Sequence, residues 1–197
     1  MTTGVQNTLV GSLAGDALTE GNYNILIGYG AGGALTTGDR NVAIGRDALK
    51  TEDANGWNVA VGYSALATLN AGAEAYNVAV GYNAGVAMTT GIYNTLIGAQ
   101  SGDSLTTGSG NVGVGLNTLA SEDAHGKNTA IGTDVLQTLD AGADGYNTAV
   151  GYQSGKLMTT GVQNTIMGGK AGDTLTTGSY NVAIGYEALS AEDEHGK

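Results

Sequence analysis

The stretch NVAIG occupies Asn41 to Gly45 and returns letter for letter at Asn181 to Gly185. Looser copies are NTLVG from Asn7, NILIG from Asn24, NVAVG from Asn58 and Asn77, and NTLIG from Asn94. NVGVG from Asn111, NTAIG from Asn128, NTAVG from Asn147 and NTIMG from Asn164 complete the series. The spacing is 17 residues, except for 19 from Asn58 to Asn77 and from Asn128 to Asn147. A fixed short period marks a repeat architecture and governs every local reading. A longer period of 70 residues lies over it: Asn7, Asn77 and Asn147 correspond, as do TEDANG at Thr51, SEDAHG at Ser121 and AEDEHG at Ala191. The unit of duplication is therefore a set of four short repeats.

Seventeen residues are too few for a pair of helices with their turns. After each Asn come three residues rich in Val, Ile and Thr, then Gly, which reads as a short strand closed by a turn. A second strand is expected around DALK at Asp47 or SALAT at Ser64, followed by a polar turn, often LTTG. The fold class is accordingly all-β: a parallel β-solenoid or β-roll of eleven coils, one repetitive unit over 1–197. At about 4.8 Å per coil the rod is roughly 50 Å long. Stacked Asn amides can hydrogen-bond along the rod. The Gly four residues on permits a tight or left-handed turn.

Alternation sends successive strand side chains to opposite faces. The third residue after each Asn (Val10, Ile27, Ile44 and their counterparts) is never polar and is expected inside the coil. The second (Leu9, Leu26, Ala43 and counterparts) is never polar either. A strand apolar on both faces is covered on both. A narrow coil has one interior, so the other face needs a cover, and a second copy of the chain is the simplest one. Position eight after Asn is Gly or Leu, and position eleven is Leu or Met except at Glu52, Glu122 and Glu192. Where Gly leaves room at eight, the residue at eleven is available to fill it, keeping core volume while the Glu changes the surface.

NVAIGYEAL (Asn181 to Leu189) and LTTGSYNVAIG (Leu175 to Gly185) resemble the head repeats of trimeric autotransporter adhesins and the repetitive shafts of phage tail fibres. The resemblance covers the whole chain. It implies a parallel β-roll in a homotrimer, displayed outside a cell or virion, with any glycan or receptor on the host surface bound by other parts of the fibre. The 17-residue period is longer than the usual adhesin head repeat of about fourteen. MTTG recurs at Met88 and Met158, so Met1 need not be an initiator, and the chain reads as a segment of a longer fibre.

Composition narrows the alternatives. Gly is 35 of 197 residues without a collagen period. Cys is absent, so redox compartment is not legible. A net charge of −11 argues against nucleic acid and anionic membranes. No apolar run reaches bilayer length, so no membrane insertion is expected, and no signal peptide is legible. GYGAGG at Gly28 matches a dinucleotide fingerprint formally, but it lacks the helix and the partner residue that motif needs. His125 and His195 are the only histidines and sit 70 apart in the same repeat phase, so no nucleophile–base set exists and no enzyme is expected.

Three further readings concern surfaces. Tyr brackets several strands (Tyr23 and Tyr29, Tyr76 and Tyr82, Tyr146 and Tyr152, Tyr180 and Tyr186), as rim packing over the turns or a stripe able to grip sugars or another fibre. TT pairs at Thr36, Thr89, Thr106, Thr159 and Thr176 raise an ice-binding solenoid, although half the coils lack them. End-to-end assembly into a filament is a third course. Finally, each set carries one acidic turn: Glu52, Asp53 and Asn55; Glu122, Asp123 and His125; Glu192, Asp193, Glu194 and His195. Oxygen-rich turns suit Ca²⁺, which needs six to eight ligands, so Asn70 or Asp140 one coil on would have to contribute. The alternative is a solvated negative band that discourages bundling.

Overall fold

The computed structural model describes residues 2–190; Glu192, Asp193, Glu194 and His195 lie outside them. Each NxxxG motif forms a three-residue strand. In chain order these are β1 (Thr8–Val10), β2 (Ile25–Ile27), β3 (Val42–Ile44), β4 (Val59–Val61), β5 (Val78–Val80) and β6 (Thr95–Ile97). There follow β7 (Val112–Val114), β8 (Thr129–Ile131), β9 (Thr148–Val150), β10 (Thr165–Met167) and β11 (Val182–Ile184). They pair in sequence order, all parallel, in a single eleven-stranded sheet. The protein is a parallel β-solenoid, with no helix among the described residues.

The register never slips. Leu96 sits opposite Gly113, and Val59 opposite Val78 across one of the 19-residue coils. The two extra residues go into the loop after Leu69 or Leu139, where Gly72 and Gly142 stand in open space at positive φ.

The in–out assignment is the reverse of the sequence expectation. The second strand residue points inward: Leu26, Ala43, Ala60, Ala79, Leu96, Ala130, Ala149 and Ile166 are all fully buried. The first and third point out, with Ile97, Ile131 and Met167 among the exposed. The reason lies in the volumes facing the second residue. Gly15 and Gly102 sit at position eight, where an added Cβ would lie 2.7–3.0 Å from the side chains of Leu9 and Leu26, or of Leu96. Coils with a large second residue therefore carry Gly at eight. Coils with Ala43, Ala60 or Ala130 at the second position carry Leu49, Leu66 or Leu136 at eight instead. In the fifth and ninth coils both positions are small, and Met88 or Met158 from position eleven reaches in, its terminal methyl within 3.5–3.6 Å of where a Cβ on Gly85 or Gly155 would be. Core volume is thus held constant by three columns.

The expected second strand is absent. Its residues form successive turns instead, over Asp47 to Leu49 of DALK and over Ser64 to Thr68 of SALAT. Positions six and eight after Asn adopt positive φ in every coil, as in Asp47 (57°), Leu49 (50°), Asn83 (55°) and Gln100 (55°). Bonds of turn type close the corner, from Leu18 N to Gly15 O at 3.0 Å and from Leu35 N to Gly32 O at 3.1 Å. Left-handed residues cannot continue a strand. These turns still stack, since Asp47 N donates to Tyr29 O and Leu49 N to Ala65 O.

Two columns hold the coils in register. The Gly four residues after each Asn has φ of 128–144°, and a Cβ there would stand 1.9–2.7 Å from the carbonyl oxygen of the next such Gly in all but the last coil. No other residue fits. Each Asn side-chain oxygen accepts the backbone N–H of the next Asn, as from Asn24 to Asn7 (2.9 Å), Asn41 to Asn24 (2.8 Å) and Asn181 to Asn164 (2.9 Å). The amide nitrogen donates to a loop carbonyl, as from Asn94 to Gly108 at 2.9 Å. The Asn ladder expected from sequence is therefore present from Asn7 to Asn181, and it satisfies polar groups that burial would otherwise leave unpaired.

Candidate functional site

Two features stand apart from the repetitive core: the outward face of the sheet, and the acidic turn of each set.

The outward face has two inner columns. One contains Ile25, Val42, Val59, Val78 and Thr95 at the first strand position; the other contains Ile27, Ile44, Val61, Val80 and Ile97 at the third. Strand pleating places these side chains on one plane, with no charged residue in either column. Aromatic and cationic residues flank them on both sides. On one edge Arg40 lies between Tyr23 (5.2 Å to the ring centre) and Trp57 (4.8 Å). Trp57 stacks on Tyr76 at 5.6 Å, and Tyr76 on Tyr93 at 5.7 Å. On the other edge Arg46 lies between Tyr29 and Tyr63, and Tyr63 stacks on Tyr82 at 5.5 Å. The flanking residue before each Asn is held at positive φ (Tyr23 60°, Trp57 64°, Tyr93 60°), a conformation costly for bulky side chains. The bracketing tyrosines thus pack along the rim of the sheet, and their outer surfaces remain exposed.

Farther along the first edge, Lys127 donates to Asp144 at 2.5 Å and to Tyr146 Oη at 2.9 Å. The Asp144 hydrogen bond is the chief cause pushing the Lys127 pKa up.

The threonine pairs have a structural use. In four of them the first hydroxyl donates to a main-chain carbonyl one coil on: Thr36 to Asp53 at 2.8 Å, Thr89 to Thr106 at 3.3 Å, Thr106 to Asp123 at 2.7 Å and Thr159 to Thr176 at 3.3 Å. GYGAGG lies in the turns and borders a shallow groove. Asp16, Asp47 and Lys50 line that groove, and the one cation is already paired with Asp47 at 3.3 Å, a poor setting for a phosphate.

In the acidic turns the glutamate does not change the surface. Glu52 and Glu122 occupy the interior column that Leu or Met fills in other coils, and both are fully buried. In the first set the carboxylate is satisfied by the protein. Oε1 accepts from Asn55 N (3.1 Å) and Asn55 Nδ2 (3.2 Å), and Oε2 from Ala71 N (3.2 Å). Asp53 points to solvent and Asn70 is exposed. In the second set Oε1 of Glu122 accepts from His125 N at 3.1 Å, with His125 Nδ1 3.4 Å away. Burial raises the Glu122 pKa; the amides of His125 and Ala141 and the His125 ring oppose this, and the Asp140 charge adds to it. Ligand atoms of Glu122, Asp123, His125 and Asp140 all lie within 4.8 Å of one another. Of the sequence-predicted ligands, the structure thus gathers Glu122 and Asp123 with His125 and Asp140. Glu192 and Asp193 fall outside the described residues.

No helix among the described residues is long and apolar enough to cross a membrane. Compared with protein-family models, curated proteins and solved structures, the chain matches none.

Proposed function

We propose that the chain is a non-catalytic shaft segment of an extracellular fibre, a rigid rod in which three copies pack through the outward sheet faces. One observation carries this reading: an uncharged strip, apolar throughout at the third strand position and Val, Ile or Thr at the first, runs along the solenoid on β1–β11 while the interior is already filled by the other face of the same strands. Monomeric proteins rarely expose contiguous apolar patches above a few hundred Å². Eleven strands about 4.8 Å apart and a strip some 20 Å wide, rims included, give roughly 1,000 Å², comparable to the roughly 800 Å² that each partner of a stable complex buries. The strip has the same register in every coil, so copies set side by side meet the same surface throughout. The resemblance to adhesin head repeats and phage fibre shafts adds the extracellular setting, on a cell surface or virion, and the threefold symmetry.

Light-scattering mass in dilute solution tests the reading. Three copies are expected, and Ile97→Glu, which places a charge mid-strip without touching the core, is expected to yield a folded monomer. A wild-type monomer with a β circular-dichroism spectrum overturns the trimer. Open filaments in electron micrographs support end-to-end assembly in its place. Thermal hysteresis from a wild-type monomer supports an ice-binding face, since the strip presents Thr129, Thr148 and Thr165 in consecutive strands.

A further inference from the structure

We propose that Glu122, Asp123, His125 and Asp140 form a binding site for a divalent transition-metal ion of the zinc type, present in the second 70-residue set and absent from the first. The inference is independent of the fibre reading.

The chain contains its own control. The loops at Thr51–Gly56 and Ser121–Gly126 are counterparts 70 residues apart, and both have a fully buried glutamate as their second residue. In the first, three protein N–H groups satisfy the carboxylate, two of them from Asn55 and one from Ala71. In the second, His125 replaces Asn55 and Asp140 replaces Asn70. Both changes remove a side-chain amide and introduce a metal-ligating group. Glu122 Oε2 is left buried without a hydrogen bond of good geometry, although the Ala141 amide, counterpart of Ala71, is near enough to favour the charged carboxylate. His125 Nδ1 is likewise buried and makes no hydrogen bond, standing 3.4 Å from Glu122 Oε1, within ion-pair distance when the imidazole is protonated.

The three carboxylates gathered in this way repel one another unless a cation, the protonated imidazole or a metal ion, stands among them. An unpaired buried charge is costly, and a bound ion removes that cost. Zinc ligands at about 2.0–2.2 Å from a common centre stand about 3.3–3.6 Å apart. The four groups already lie within 4.8 Å, and Asp123 and Asp140 sit at the surface, where they are free to close in. One imidazole with three carboxylates suits zinc, manganese or cobalt; calcium prefers oxygen alone and more of it. The site joins two successive coils, Glu122, Asp123 and His125 from one and Asp140 from the next, so an ion there clamps the stack.

The test uses the full chain carrying His195→Asn, which removes the histidine of the third acidic turn. Co²⁺ added to this protein is expected to give a visible ligand-field band that Zn²⁺ abolishes, and Zn²⁺ is expected to raise the melting midpoint. Adding His125→Asn and Asp140→Asn recreates the residues of the first set. Both metal effects are expected to vanish, with the metal-free midpoint unchanged or higher. Should that variant fail to fold, Asp123→Asn alone, at an exposed position, is expected to weaken Zn²⁺ binding by about tenfold or more, since even outer partners of a metal contribute that much. Absence of Zn²⁺ binding, binding unaffected by the substitutions, or a midpoint raised by Ca²⁺ and not by Zn²⁺ overturns the proposal.

Discussion

The main-chain nitrogen of Asn111 donates to the side-chain oxygen of Asn94 at 2.9 Å, and the Asn94 amide nitrogen donates to the Gly108 carbonyl at 2.9 Å. Asn94 is fully buried and serves main-chain groups at two points of the following coil. We expect Asn94→Ala to lose about 2–4 kcal/mol, because it leaves one buried donor and one buried acceptor without partners. Urea unfolding monitored by circular dichroism measures this. A loss under 1 kcal/mol shows that water replaces the amide.

The glycine corner and the turn beside it should respond in opposite ways to substitution. Gly98 has φ of 134°, and a Cβ there would lie 2.2 Å from Gly115 O. Gly98→Ala should destabilise by more than about 3 kcal/mol, as strain and a backbone clash combine. Two residues on, Gln100 holds φ of 55° where Gly30 stands in the equivalent turn. Gln100→Gly should be neutral or stabilising by up to about 1 kcal/mol, since a left-handed conformation costs a side chain more than it costs glycine. Melting midpoints of the two variants, measured together, decide the contrast.

The three-column core predicts strong non-additivity. Leu96→Ala alone opens a cavity and should cost about 2–5 kcal/mol. Gly102→Leu alone should overpack, because its Cβ would meet the Leu96 methyls at 3.0 Å. Together with Leu105 the double variant has the combination found in Ala60, Leu66 and Leu69, and it should recover at least half of the summed loss. A double-mutant cycle reads the coupling; purely additive losses exclude volume exchange between these columns.

A carboxylate with several donors should make stability depend on pH. Asp134 is partly desolvated, which alone raises its pKa, but Asn117, Gln153 and Lys156 together hold it below the ordinary carboxylate range. Its folded pKa is thus depressed, so its contribution is present above about pH 4 and is lost as pH falls through the folded value. Asp134→Asn should flatten the fall in melting midpoint below pH 4. An unchanged acid profile shows that other carboxylates govern acid unfolding.

Much of this molecule is legible from spacing alone. The period, the strand position, the Asn ladder and the stacking follow from eleven copies of NxxxG, because a repeat that fails to stack leaves its backbone unpaired. The orientation of the strand is not legible from alternation. Both faces are apolar, so a shift of meaning by one residue looks equally good. The deciding signal is a covariation within the chain: Leu9, Leu26, Leu96 and Ile166 accompany Gly15, Gly32, Gly102 and Gly172, and so share one interior with them. The second segment reads as a strand because Ala and Leu there are buried as a strand's would be, whereas positive φ at residues such as Asp47 and Asn83 leaves no trace in hydrophobicity. The acidic turns looked like solvent-facing loops. Their position in the leucine column, eleven after Asn, was the evidence that Glu52 and Glu122 are buried.

The 70-residue register has a consequence for heredity. Among the described residues each strand contacts only the strands beside it, and corresponding loops recur every fourth coil. Unequal exchange between sets would therefore add or remove whole multiples of about 19 Å without creating a new joint anywhere in the stack. The length of the rod becomes a quantity that recombination can adjust in fixed steps, at a locus where point mutation of the glycine corner or the asparagines would be punished.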